Sequence, residues 1–200
     1  TIERVVSTVC PKGKWCTAGR VIDCPKGTYN NRTGQNFATA CVSCPEFSTT
    51  NRTAAISAAD CICLPTFLPT VAADGTTACA CGAGFEIFNG LSCNPCAKGT
   101  YKPTPGNAKC SDCPLIAQTT IDTASTSADA CVCDVGLYED SGGGNETCLA
   151  CPAASAGINC TVPGIRLETL PVLPEFWRSG PTALAPRRCY IDGACAGGSN

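Results

Sequence analysis

The chemistry open to this sequence lies in its sulfur. Cysteine recurs as Cys-x-x-Cys at 41/44, 93/96, 110/113 and 148/151, and as Cys-x-Cys at 61/63, 79/81 and 131/133. Two thiolates at such spacing can grip a tetrahedral zinc ion, or each can be oxidised into a disulfide. The second use fits better. The chain holds 20 cysteines in 200 residues and no histidine, and the two spacings recur in a repeating order that suits disulfides. An even count leaves no obligatory free thiol, and cysteine at a tenth of the residues is the density of a disulfide scaffold. Such a framework persists only where thioredoxin and glutathione do not reduce it, so the chain is expected to be secreted or at the cell surface.

Other chemistries lack their residues. Without histidine the usual proton shuttle is missing, and there is no Gly-x-Ser-x-Gly elbow, glycine-rich phosphate loop or Asp-rich calcium loop. Glu139 and Asp140 remain as carboxylates, but a chain of small loops offers no deep, dry cleft in which to shift their pKa values. The expectation is a protein that is not an enzyme, with no catalytic residue, metal or cofactor. Its 14 basic residues are scattered through a chain of net charge −2, so nothing is arranged to neutralise a phosphate backbone and no nucleic acid partner is expected. No apolar run approaches the ~20 residues of a membrane span, and the opening Thr1-Ile2-Glu3-Arg4 lacks the order of a signal peptide. The chain reads as a processed or excised piece. Asn-x-Thr sequons at Asn31, Asn51, Asn145 and Asn159 are expected to carry N-glycans.

The elements that position so many cysteines must be short, because Leu, Ile, Val and Phe together number only 36. With little to bury, the entropy of ordering the chain must be offset by cross-links, each contributing about 2–4 kcal/mol. The cysteines reveal a tandem repeat. Positions 24, 41, 44, 61, 63, 79, 81 and 93 align with 96, 110, 113, 131, 133, 148, 151 and 160, at offsets of 67 to 72. Cys24-Pro25-Lys26-Gly27-Thr28-Tyr29 then matches Cys96-Ala97-Lys98-Gly99-Thr100-Tyr101. A second alignment sets Cys81-x-x-Gly84-Phe85 on Cys133-x-x-Gly136-Leu137 and makes Cys63 to Cys79 an insertion. The sequence leaves both open.

Either alignment is met by pairing neighbours in order: Cys10 with Cys16, Cys24 with Cys41, Cys44 with Cys61, Cys63 with Cys79, Cys81 with Cys93, Cys96 with Cys110, Cys113 with Cys131, Cys133 with Cys148, Cys151 with Cys160 and Cys189 with Cys195. Spacing alone does not fix a connectivity. The expected fold class is small and disulfide-rich: tandem cysteine-rich repeats of short β-hairpins in an elongated rod with little helix. The Ala-rich stretches from Thr53 to Asp60 and from Thr123 to Ala130 are limited to one turn each. The expected domains are an N-terminal cysteine-containing cap (1–23), repeat units (24–95 and 96–160) and a C-terminal segment with short strands and one small disulfide loop (161–200).

The repeat resembles the ephrin-receptor-like cysteine-rich repeat, a relative in style of tumour-necrosis-factor-receptor modules. The likeness rests on C-P-K-G-T-Y, C-V-S-C-P and C-I-C in the first copy and C-A-K-G-T-Y, C-S-D-C-P and C-V-C in the second, over Cys24 to Cys160. It implies a spacer or binding module of the kind found in receptor ectodomains and in large protist and algal surface proteins. Leu173-Pro174-Glu175-Phe176-Trp177-Arg178, followed by Cys189 and by Cys195-Ala196-Gly197-Gly198, is similar to a segment that closes such arrays, with Glu175 where that family has Gly. The function expected is an extracellular structural glycoprotein, a module of a surface coat, stalk or filament such as a flagellar hair. Its partner would be itself, as a homopolymer, or another extracellular protein. The alternative is a ligand-binding ectodomain fragment of a receptor or channel. Residues 161–188 lack cysteine, and Ile165-Arg166-Leu167-Glu168 alternates as a half-buried strand would. That stretch is either a terminal cap or an assembly surface built on Leu170, Val172, Leu173, Phe176 and Trp177.

Overall fold

The computed structural model describes residues 9–71, 75–140, 142, 146–153 and 156–199. Its regular structure is a series of two-stranded antiparallel hairpins. In chain order β1 (Lys14–Thr17) pairs with β2 (Arg20–Asp23), β3 (Thr28–Tyr29) with β4 (Val42–Ser43), and β5 (Ser48–Thr50) with β6 (Cys61–Cys63). Next come β7 (Leu68–Val71) with β8 (Thr77–Ala80), β9 (Phe85–Phe88) with β10 (Ser92–Pro95), and β11 (Thr100–Tyr101) with β12 (Ser111–Asp112). The last three are β13 (Gln118–Thr120) with β14 (Cys131–Cys133), β15 (Leu137–Asp140) with β16 (Thr147–Ala150), and β17 (Phe176–Trp177) with β18 (Arg187–Arg188). Among the described residues there is no α-helix. The Ala-rich stretches end in single 3-10 turns at Ala58–Asp60 and Ala128–Ala130. In the first, Ser57 Oγ accepts from the Ala59 N–H while the Asp60 carboxylate accepts from the Ser57 N–H, both at 3.1 Å. That reciprocal cap stabilises one turn, and Cys61, tied to Cys44, starts β6 directly afterwards.

Ten disulfides join Cys10–Cys16, Cys24–Cys41, Cys44–Cys61, Cys63–Cys79, Cys81–Cys93, Cys96–Cys110, Cys113–Cys131, Cys133–Cys148, Cys151–Cys160 and Cys189–Cys195. Strand geometry explains the Cys-x-Cys junctions. Residues two apart on a strand share a face, so the sulfurs of Cys61 and Cys63 on β6, and of Cys131 and Cys133 on β14, leave from one side. In each pair one sulfur closes the ring behind it and the other opens the ring ahead.

The chain forms two compact units, one of residues 1–82, 87–94 and 105–107 and the other of residues 83–86, 95–104 and 108–200. In the first, buried Phe67 lies among Cys79, Cys81 and Cys93, and Phe47 stacks on it with ring centroids 4.5 Å apart. In the second, Tyr138, Ile158, Ile165, Leu167 and Leu170 form the core, with Cys151 and Cys160 against it.

Backbone hydrogen bonds repeat along the sequence and distinguish the two alignments. The Cys24 N–H donates to Gly13 O (2.9 Å), Cys96 to Gly84 O (2.8 Å) and Cys151 to Gly136 O (2.9 Å). Likewise Gly34 donates to Cys10 O, Gly106 to Cys81 O and Gly164 to Cys133 O, at 2.7, 2.8 and 2.8 Å. This frame puts Cys10, Cys81 and Cys133 in register. It follows the second alignment, in which the β7–β8 hairpin closed by Cys63–Cys79 is the insertion. Asn30 and Lys102 hold one position in the frame: their carbonyls accept from Gly13 and Gly84. Both side chains are buried and reach back to the hairpin before them, Asn30 Nδ2 to Lys14 O at 2.8 Å and Lys102 Nζ to Phe85 O at 2.7 Å.

Candidate interaction surface at the C-terminal segment

Pro163, Pro171, Pro174 and Pro181 keep the segment after Cys160 from forming long ladders. Its alternation is visible in burial: Ile165 and Leu167 are buried while Arg166 and Glu168 are exposed. Contact with β15 is one parallel bridge, in which Glu139 N–H donates to Ile165 O (2.8 Å) and Leu167 N–H to Glu139 O (2.9 Å). Leu170 is fully buried and Val172 nearly so, the latter bridged to both Ile158 and Gly198. Leu170 packs with Tyr138, Ile158, Ile165 and Leu167, so neither it nor Val172 offers free surface in the single chain. Leu173 and Phe176 are half-buried. Phe176 lies on Gly157, where a Cβ would stand 2.3 Å from its ring. Trp177, at 41% exposure, is the one residue of the five with substantial free surface.

The cap is held by a residue that hydrophobic pattern does not single out. Arg178 is buried, and its guanidinium donates from Nε to Ala183 O (2.9 Å), from Nη1 to Leu170 O (3.1 Å), and from Nη2 to Leu167 O (2.8 Å) and Pro181 O. The planar fork of five donors suits a loop whose carbonyls have no ladder to join. Burial pushes its pKa below the ordinary arginine value, and the charge of Glu168 works the other way. Glu175 occupies a left-handed φ of 70°, a conformation that favours glycine. Its Oε1 accepts from the Gly193 N–H (2.8 Å), and its backbone exchanges bonds with Cys189 and Cys195, so the last disulfide ring is fastened to β17.

Beyond this clamp the surface changes character. Trp177 pairs across the hairpin with Arg187 and Phe176 with Arg188, and both arginines are exposed. Within the ring closed by Cys189 and Cys195, Tyr190 is fully exposed and Ile191 is 72% exposed. The sequence marked Trp177 but missed the Arg187-Arg188 doublet and Tyr190; a basic pair beside an aromatic in a short disulfide ring is the signal that could have found them. Elsewhere in the same unit a groove of about 830 Å³ is lined by Asp129, Glu139, Glu146 and Arg166. Arg166 Nε lies 3.4 Å from Glu139 Oε2.

The candidate glycan acceptors are dispersed. Asn31 and Asn51 are exposed, and Asn145 lies outside the described residues. Asn159 is half-buried, and its Oδ1 accepts from Thr161 N–H (3.2 Å) and Oγ1 (2.8 Å). Among the described residues no group of three or more His, Cys, Asp or Glu side chains could hold a metal ion, and no helix is long and apolar enough to cross a membrane.

A family model described as tyrosine-protein kinase ephrin type A/B receptor-like matches residues 13–61 and 87–131. The stretch between the matches contains the inserted β7–β8 hairpin. Cysteine repeat modular protein B of Toxoplasma gondii is 45% identical over 67 residues, 32% of this chain and 1% of that protein. Human ephrin type-B receptor 4 is 34% identical over 128 residues, 60% of this chain and 12% of the receptor. Human ephrin type-A receptor 8 is 33% identical over 115 residues, 56% of this chain and 11% of the receptor. The chain thus spans at most about an eighth of the length of these relatives.

Proposed function

From the premise that this chain is an ephrin-receptor-like cysteine-rich repeat protein, we infer that it is a non-enzymatic extracellular structural glycoprotein that associates with itself. It would serve as a repeat module of a surface coat, a stalk or a filament of the flagellar-hair kind. The observation that carries this reading is the ring framework: every cysteine of the described chain is consumed in a disulfide between chain neighbours. Such a framework maintains structure outside the cytosol. On the hydrogen-bond frame the repeats would begin at Cys10, Cys81 and Cys133, in place of the 1–23 cap and the 24–95 and 96–160 units expected from the sequence, and the chain after Cys160 would be their cap. Asn31 and Asn51, exposed on the first repeat, are the best-placed glycan acceptors, with Asn145 and Asn159 as further ones.

A second reading, a ligand-binding fragment of a receptor ectodomain, is favoured by the extent of the match to ephrin type-B receptor 4, which covers 60% of this chain. Sedimentation velocity and negative-stain electron microscopy of the oxidised, glycosylated chain separate the two. Concentration-dependent growth into regular fibres supports the structural polymer. Monomers at every concentration overturn it and leave the receptor fragment.

A further inference from the structure

We propose that self-association joins two unlike surfaces: the exposed β17–β18 hairpin and following ring of one copy, bearing Trp177, Arg187, Arg188 and Tyr190, dock into the acidic groove of Asp129, Glu139 and Glu146 on the next. This rests on the self-association reading above and names its two surfaces.

The docking face has the composition of an interface centre. Trp, Tyr and Arg are the residues enriched among energetic hot spots, and here they gather on one short hairpin and the ring that follows it. The face is also pre-organised. The Arg178 fork and the Glu175 bond to Gly193 fix the hairpin and ring before any partner arrives, which lowers the ordering cost of association.

Charge selects the occupant. Residues 169–200 hold three arginines against two carboxylates, a local excess of +1. The remainder of the same unit holds four basic and nine acidic residues, a net of −5. The groove concentrates that acidity. Glu139 is shared with Arg166, while among the described residues Asp129 and Glu146 enter no salt bridge. A cavity of about 830 Å³ is within the range that admits several side chains. Two copies joined face to face by the basic hairpin would oppose arginine to arginine. Joined basic face to acidic groove, they satisfy both, and because the two surfaces differ the contact is heterologous and propagates.

The test is sedimentation velocity over a concentration series on the oxidised chain, with the disulfides of each variant verified by non-reducing peptide mapping. Arg187→Glu with Arg188→Glu, and separately Asp129→Lys with Glu146→Lys, should each weaken association by about tenfold or more. Mixing the two variants should restore dimers, because one keeps the native groove and the other the native basic face. Raising the salt should weaken the wild-type contact. Association undiminished by either double variant, or no dimer on mixing, overturns this pairing of surfaces while leaving self-association standing. A wild-type chain that stays monomeric overturns the parent reading as well.

Discussion

Gly13 stands so close to Ala54 that a Cβ on residue 13 would lie 2.3 Å from the Ala54 carbonyl oxygen, and Gly84 stands at the same 2.3 Å from Ala124. The two alanines share an unusual backbone as well, with left-handed φ values of 57° and 61°. The loop before each 3-10 turn therefore folds back onto the glycine that opens the same repeat, and the contact is part of the repeat itself.

Gly13→Ala and Gly84→Ala should accordingly cost about 1–3 kcal/mol for the forced backbone shift, beyond the roughly 1–2 kcal/mol of a left-handed alanine. Gly19→Ala and Gly90→Ala meet nothing within 4 Å at similar positive φ and should show the second cost alone. Guanidinium unfolding with the disulfides intact measures both pairs. Equal losses would show that the close contact carries no weight.

Arg178→Met should loosen the cap by about 2–4 kcal/mol, since it strips donors from four carbonyls at once. Amide exchange should quicken at Asn159 and Leu173, whose N–H groups bind Pro171 O and Gly157 O, while β1–β2 stays protected. Unchanged exchange at those two amides would remove Arg178 from the role of clamp.

The first hairpin should carry a small acid sensitivity. Asp23 has its pKa held below the ordinary aspartate value, first by the hydrogen bond from Lys14 at 2.7 Å. A carboxylate with a lowered folded pKa contributes stability that is present above the unfolded value and is lost as pH falls through the folded one. The loss should therefore begin below about pH 4, and Asp23→Asn should abolish it. The effect is small because the pair is exposed to solvent. Comparing the pH dependence of stability in the two proteins checks the sign.

Reductant should unfold the protein and chelator should leave it unchanged. Under mild reduction the bonds with both cysteines half-exposed, Cys44–Cys61, Cys113–Cys131, Cys151–Cys160 and Cys189–Cys195, should open before those of fully buried Cys24, Cys81, Cys96 and Cys133, because exchange requires access to sulfur. Differential alkylation followed by mass spectrometry gives the order. Early labelling of Cys24 or Cys96 would contradict it.

Much of this architecture is legible in the sequence because cysteine position is structural position in a chain held by short rings. Gly-Thr-Tyr after Cys24 and Cys96 marks the same strand start twice, and Cys-x-Cys marks a strand whose two sulfurs share a face. Legibility fails where one role is played by unlike residues. Asn30 and Lys102 both reach back to a hairpin carbonyl, one with an amide and the other with an ammonium, and no alignment of residue types equates them. Ala54 and Ala124 give no hint of positive φ. Leu170, Val172 and Trp177 sit in one proline-broken apolar stretch without a period, so pattern could not separate the inward pair from the outward tryptophan. Arg178 was hidden for the opposite reason: a lone charge there reads as solvated.

Because each disulfide joins neighbours in chain order, none bridges another, and the molecule is covalently a string of closed rings. Of the 185 residue steps from Cys10 to Cys195, 130 lie inside a ring. Tension applied to the ends would pass across each S–S bond and leave those residues slack, so that only the remaining 55 steps could be drawn out, roughly 190 Å at about 3.5 Å per residue. More than half of that reserve is the 29-step link from Cys160 to Cys189. The chain would resist stretching like a cable with one elastic splice, and a protease cut would sever it only in the links between rings.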